Sequence, residues 1–221
     1  MSVIHRTELK PTKLELLTGW LPSRPWYRGG AGAPELLKAG GFRLDDPEGE
    51  VGIEFMVVTD ASAPDGPAGY LVPLTYRGAP LPDAGHALVG TLHHGVLGQR
   101  WVYDGCHDPV LTTQLLALVE GRVQAQAQSI SDTLDHDVTR SFTGQDPAPA
   151  GFTTTAADDR DGTSVPTSYG ASLRLHRVLQ PGPEAPLPEG ATGHVAGSWE
   201  AADGTRVRGV FAHLGPAGRQ Q

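Results

Sequence analysis

Two stretches decide the fold: V-G-I-E-F-M-V-V-T (51–59) and G-Y-L-V-P-L-T-Y-R (69–77). Each alternates with period two, the mark of a β-strand. Ile53, Phe55 and Val57 share one face of the first, and Tyr70, Val72, Leu74 and Tyr76 one face of the second. Pro73 cannot donate a ladder hydrogen bond, so the second strand is expected at a sheet edge or with a bulge. Leu88–His93 and Gln99–Tyr103 read as a further strand pair around His94-Gly95. The short connections favour antiparallel meanders over crossovers.

Helices flank these strands. Thr12 with Glu15 three residues later forms a capping box for a helix to Leu21, with Leu14, Leu17 and Leu21 on one face. Asp108-Pro109 opens a second helix, whose apolar stripe is Leu111, Leu115 and Leu118 and whose stop is Gly121. Beyond it, the alternation over 123–128 predicts a half-solvated strand, and 138–142 one more. Residues 144–162 are rich in Pro, Thr and Asp and read as a linker. A smaller β unit follows: a strand over 168–179, then a hairpin of 195–201 with 206–213 around Asp203-Gly204. The expected fold is therefore α+β, a curved antiparallel sheet packed on helices, followed by a small antiparallel β unit.

The composition narrows the function. The 221 residues carry a formal charge of −8 and no Lys/Arg cluster, so neither nucleic acid nor a membrane surface is an expected partner. No apolar run approaches the roughly 20 residues needed to span a bilayer. The single cysteine, Cys106, rules out an internal disulfide; with no leader expected in M-S-V-I-H-R-T-E-L-K, the expected compartment is the cytoplasm. Adjacent His93 and His94 point to opposite faces of a strand, and Asp108 is committed as a cap. No metal site is expected from these groups or from Asp104 and His107. Cys106 precedes a helix but reads as a small buried residue. No G-x-S-x-G and no phosphate-binding glycine loop is present. Thr163, Ser164 and Arg174 are the candidate phosphate contacts: two hydroxyls and one forked cation.

Several motifs together resemble the actinobacterial maltokinase family, which phosphorylates maltose and related sugars with ATP. They are R-P-W-Y-R-G (24–29), Y-L-V-P-L-T-Y-R (70–77), V-Y-D-G-C-H-D-P (102–109) and the run from Gly162 to Gly182. The resemblance implies a family-type N-terminal cap over residues 1–143, similar to a cystatin or monellin arrangement. It further implies a linker over 144–162 and a small β subdomain over 163–221 resembling part of a kinase small lobe. Thr163-Ser164 would cover phosphate, and Arg174 stands where the family has a lysine. Gly162 stands where an asparagine is expected, and R-V-L-Q-P-G (177–182) keeps the family's ending. No histidine begins an H-x-D, and no catalytic lobe follows within the 221 residues. The resulting expectation is a non-catalytic, pseudokinase-like binding or regulatory module in trehalose, maltose or glycogen metabolism, with a protein partner and no cofactor. The alternatives are a weak ATP sensor through Thr163, Ser164 and Arg174 or an accessory part of a sugar kinase, and an unrelated enzyme using Tyr70, Tyr76, Trp101 or Tyr103 on the concave sheet face.

Overall fold

The computed structural model describes residues 9–130, 133–144, 155–182 and 187–217. Fourteen strands and two helices lie among them. The first half comprises β1 (Leu9–Lys10), α1 (Lys13–Trp20), β2 (Leu36–Leu44), β3 (Gly52–Asp60), β4 (Ala68–Arg77), β5 (Leu88–His94), β6 (Gly98–Asp104) and α2 (Pro109–Glu120). Then come β7 (Gln126–Ala127), β8 (Thr139–Phe142), β9 (Ala157–Asp158), β10 (Gly162–Pro166), β11 (Ala171–His176), β12 (Val178–Leu179), β13 (Gly193–Glu200) and β14 (Arg206–Pro216). All pairings are antiparallel. The fold is α+β and dominated by one sheet, ordered β1-β5-β6-β4-β3-β2-β13-β14-β11-β10-β9.

The helices follow their caps. Thr12 Oγ1 accepts the Glu15 amide at 3.2 Å while Glu15 Oε2 accepts the Thr12 amide at 2.7 Å, which completes the capping box of α1. Asp108 caps α2 through the Val110 amide, and Gly121 ends it in the left-handed conformation (φ 79°).

Both faces of β3 and β4 are covered, so nearly every side chain on them is buried. Ile53, Phe55, Val57 and Leu71 face a core shared with α2. Met56, Val58, Tyr70, Val72 and Leu74 face a second cluster under α1, with Leu17, Trp20, Leu21 and Trp26. The shared core also takes Val165, Leu173, Leu175, Val195, Trp199, Phe211 and Leu214 from the later strands. Strands from both ends of the chain thus pack on the same helix, and the sheet has to curve around it. The run through β11 and β12 pairs with β14 on one side and with β4 on the other, bringing the ends of the curve together.

Pro73 lies inside the sheet, not at an edge. The Leu71 amide, two residues before it, points away from β3 to the Arg177 carbonyl at 3.0 Å. By strand parity the missing Pro73 donor points the same way. There β12 covers only Tyr70 and Gly69, and β6 begins only at Leu74. The proline fills the gap between two partial partners, where no donor is needed.

Strand β2 was not foreseen, because Ala39-Gly40-Gly41 interrupts its alternation. The break is a bulge between Lys38 and Gly40. At Gly41 (φ 127°) a Cβ would lie 2.1 Å from the Phe55 carbonyl oxygen, so glycine is required. Beyond the bulge Phe42 stacks directly on Phe55, centroids 4.4 Å apart. Gly40 also pairs with Trp199, the one register pair that joins β2 to β13. The strand expected over 123–128 is shorter, only Gln126–Ala127. Of the expected linker, 145–154 lie outside the described residues. Residues 157–158 form β9, which pairs with β10.

Candidate functional site

The three residues read as phosphate contacts sit at one end of β10 and β11. Thr163 and Ser164 lie within β10, opposite Leu175 and Arg174 respectively, and the hairpin turns further on, at Thr167–Gly170. Alternation sends them to opposite faces. Thr163 is fully buried; its hydroxyl donates to Asp158 Oδ1 at 2.5 Å and accepts from Arg177 Nε at 2.7 Å. Ser164 is on the other face with Arg174, whose Nη1 donates to Ser164 Oγ at 3.1 Å. The structure brings Ser164 and Arg174 together and separates Thr163 from both.

Arg174 is already engaged. Its Nη1 and Nη2 each reach a carboxylate oxygen of Asp159 at 2.6 Å, a forked geometry of the kind guanidinium favours. Arg174 in turn holds the Asp159 pKa down to about 2. A phosphate at Arg174 would have to displace that carboxylate.

The residues that sequence reasoning missed form a buried node around Arg177, which is fully buried in the segment between β11 and β12. Its Nη2 donates to both oxygens of Asp104 at 2.6 Å and approaches Cys106 Sγ at 3.2 Å. The Trp26 ring lies 5.0 Å from its guanidinium carbon. Burial alone works to lower the Arg177 pKa, but Asp104 overrides it and the guanidinium stays charged. Burial pushes the Cys106 thiol well above its ordinary value, so it is no nucleophile.

Each motif behind the family resemblance contributes to this joint or to one beside it. Trp26 comes from 24–29, Asp104 and Cys106 from 102–109, and Arg177 from 177–182. Arg77, which ends 70–77, forms a bidentate pair with the buried Asp108 of 102–109, both contacts 2.7 Å. Tyr27 donates to Asp60 at 2.7 Å and Arg28 to Asp161 at 2.6 Å. These residues act as braces between elements distant in sequence.

A second buried polar group sits at Glu54. Lys13 Nζ and Tyr76 Oη each donate to Glu54 Oε2 at 2.5 Å, and Gln128 Nε2 donates to Oε1 at 2.7 Å. Burial works to raise the Glu54 pKa, yet Lys13 and these donors hold it below the ordinary value. Tyr76 is thereby spent as a donor. Tyr70 packs under α1, and Tyr103 packs with Trp101, Ala84 and Ala87. The inner face of the curve is filled by α2 and the shared core. A polar cleft of about 190 Å³ opens where β2 and β13 diverge, lined among others by Gly40, Asp135, Asp137, Trp199 and Arg206. An ion pair between Arg206 and Asp137 crosses it.

Behind Arg174, His176 Nε2 and His213 Nδ1 are 2.9 Å apart. Burial, then His176, Arg174 and His194, hold His213 down to about 4. Burial and Arg174 likewise lower His176, while Asp161 opposes them. An unfolded histidine titrates near 6.5. Between those values the unfolded chain binds a proton that folded His213 refuses. Stability from this group is thus complete above about pH 6.5 and is lost as pH falls towards 4. The slope is at most about 1.4 kcal/mol per pH unit, less where solvent screens the site. Urea unfolding at pH 7 and pH 5 is expected to show this loss, and His213→Gln to reduce it. An equal loss in the variant would contradict the assignment.

Among the described residues no helix is long and apolar enough to cross a membrane, and no group of three or more His, Cys, Asp or Glu is placed to hold a metal ion. No curated protein matches the chain. The family model of the maltokinase N-terminal cap domain does match, over residues 20–108. That span runs from the end of α1 through β6 to the cap of α2, and contains the motifs at 24–29 and 70–77 and all but the last residue of 102–109. Over residues 20–108, then, this chain is similar to the maltokinase N-terminal cap domain, the family its motifs resemble.

Proposed function

We propose that the chain is a maltokinase-related cap module that acts by binding a protein partner and does not itself transfer phosphate. The observation that carries this reading is the pairing of Arg174 with Asp159, in a chain whose residues 20–108 match the cap family. The cation that would grip phosphate is held by an internal carboxylate. Within the 221 residues no H-x-D offers the acid that phosphoryl transfer uses to position its nucleophile. In the same reading the first part is a cystatin- or monellin-like cap and the strands after 163 are a degenerate piece of a kinase small lobe. The setting is the cytoplasm of an actinobacterium and the metabolism of trehalose, maltose or glycogen.

A second reading, a weak ATP sensor, is favoured by the contact between Ser164 and Arg174. It requires Asp159 to give way when nucleotide arrives.

Incubating the purified chain with Mg-ATP and maltose, or glucosamine, tests the first reading. No sugar phosphate above the uncatalysed background is expected. Turnover at about 1 per second or faster, the ordinary range for kinases, would overturn it.

A further inference from the structure

His107 belongs to the motif at 102–109 yet takes no part in the joints described above. Its Nδ1 lies 3.2 Å from Nε2 of His86, with the two rings nearly perpendicular, at 88°. His86 sits in the turn Gly85–Ala87 and His107 ends the turn Gly105–His107, so two separate turns are needed to make the pair. Two imidazole nitrogens about 2.0–2.1 Å from a tetrahedral ion stand roughly 3.3 Å from each other. The two rings share a hydrogen bond at 3.2 Å, close to that spacing, so an ion would take the place of the shared proton. His86 is exposed and His107 half-buried, which leaves an approach from solvent.

The charges nearby favour a cation. Two carboxylates, Asp104 and Asp158, act on His107 against the single Arg177. The other histidine pair, His176 with His213, is set differently. It has Arg174 beside it, and a cation there would meet a guanidinium.

We propose that His86 and His107 form a surface site for one divalent transition-metal ion of the zinc or nickel type, which imidazole ligands suit. Water, or a donor on an incoming molecule, completes the coordination, since no third protein ligand stands with the two among the described residues. The site is independent of the proposed partner-binding role.

The test is calorimetric titration of the full chain, free of any affinity tag, with zinc, nickel and magnesium chlorides at pH 7. Saturable binding of about one zinc or nickel ion per chain is expected, with none for magnesium. His86→Ala and His107→Ala are each expected to weaken it about tenfold or more, and His176→Ala to leave it unchanged. His86 is exposed, so its replacement leaves the fold intact, which circular dichroism checks. Absence of saturable zinc or nickel binding in the parent chain overturns the proposal. So does His86→Ala with undiminished affinity, or loss of binding in His176→Ala.

Discussion

Replacing Asp104 by Ala is expected to destabilise the protein by about 3–5 kcal/mol, because it strands the buried Arg177 charge. Asp104 takes both short hydrogen bonds from Arg177 Nη2, and also the Cys106 amide at 3.1 Å. Arg177 Nη1 already has no hydrogen-bond partner among the described residues, so little remains to hold the charge. Arg177→Met is expected to cost less than Asp104→Ala. It removes the charge and keeps much of the packing against Trp26, but leaves the Asp104 carboxylate with only the Cys106 amide. Joining Arg177→Met to Asp104→Leu should recover part of the loss, since apolar pairs of similar volume often replace buried ion pairs at little cost. Urea unfolding of these variants, with Asp104→Leu alone beside the double, measures this. Strictly additive losses would show that the two side chains are not coupled.

The second large effect concerns residues 1–144 made alone. Whether this part is a domain by itself depends on what it leaves behind. The shared core would lose Val165, Leu173, Leu175, Leu179, Val195, Trp199, Phe211, Ala212 and Leu214. Each such side chain contributes about 1.5–3 kcal/mol when buried. Together they match or exceed the roughly 5–15 kcal/mol by which whole domains are stable. The fragment would also free the β12 side of β4, the edge of β2 at Gly40 and the Asp104 carboxylate. It is expected to show no cooperative unfolding transition and to bind a hydrophobic dye. A sharp transition at a midpoint close to the full chain's would make 1–144 an independent domain.

Much of the first half was legible because its signals are local. The capping box at Thr12, Asp108-Pro109 with Gly121, and the alternation at 51–59 and 69–77 all act within a few residues. Strand β2 was not legible, because its bulge depends on Trp199 and Phe55 and Gly40-Gly41 breaks its alternation. Pro73 misled for a related reason: its neighbours β6 and β12 each stop short of it, and one of them lies about a hundred residues away. The candidate site was least legible. Thr163, Ser164 and Arg174 were read as available donors, while their partners Asp158, Asp159 and Arg177 are set by sheet register. Arg177 and Asp104 each lie in a quoted motif, but nothing local pairs them across 73 residues.

What the account claims of function turns on whether Arg174 is a brace or a grip. Calorimetric titration of the full chain with Mg-ATP up to millimolar concentration tests it most directly, with Asp159→Asn beside the parent. The account predicts no saturable heat for the parent, because Asp159 occupies both nitrogens of the Arg174 fork. Saturable binding by the parent that Arg174→Ala abolishes would contradict it.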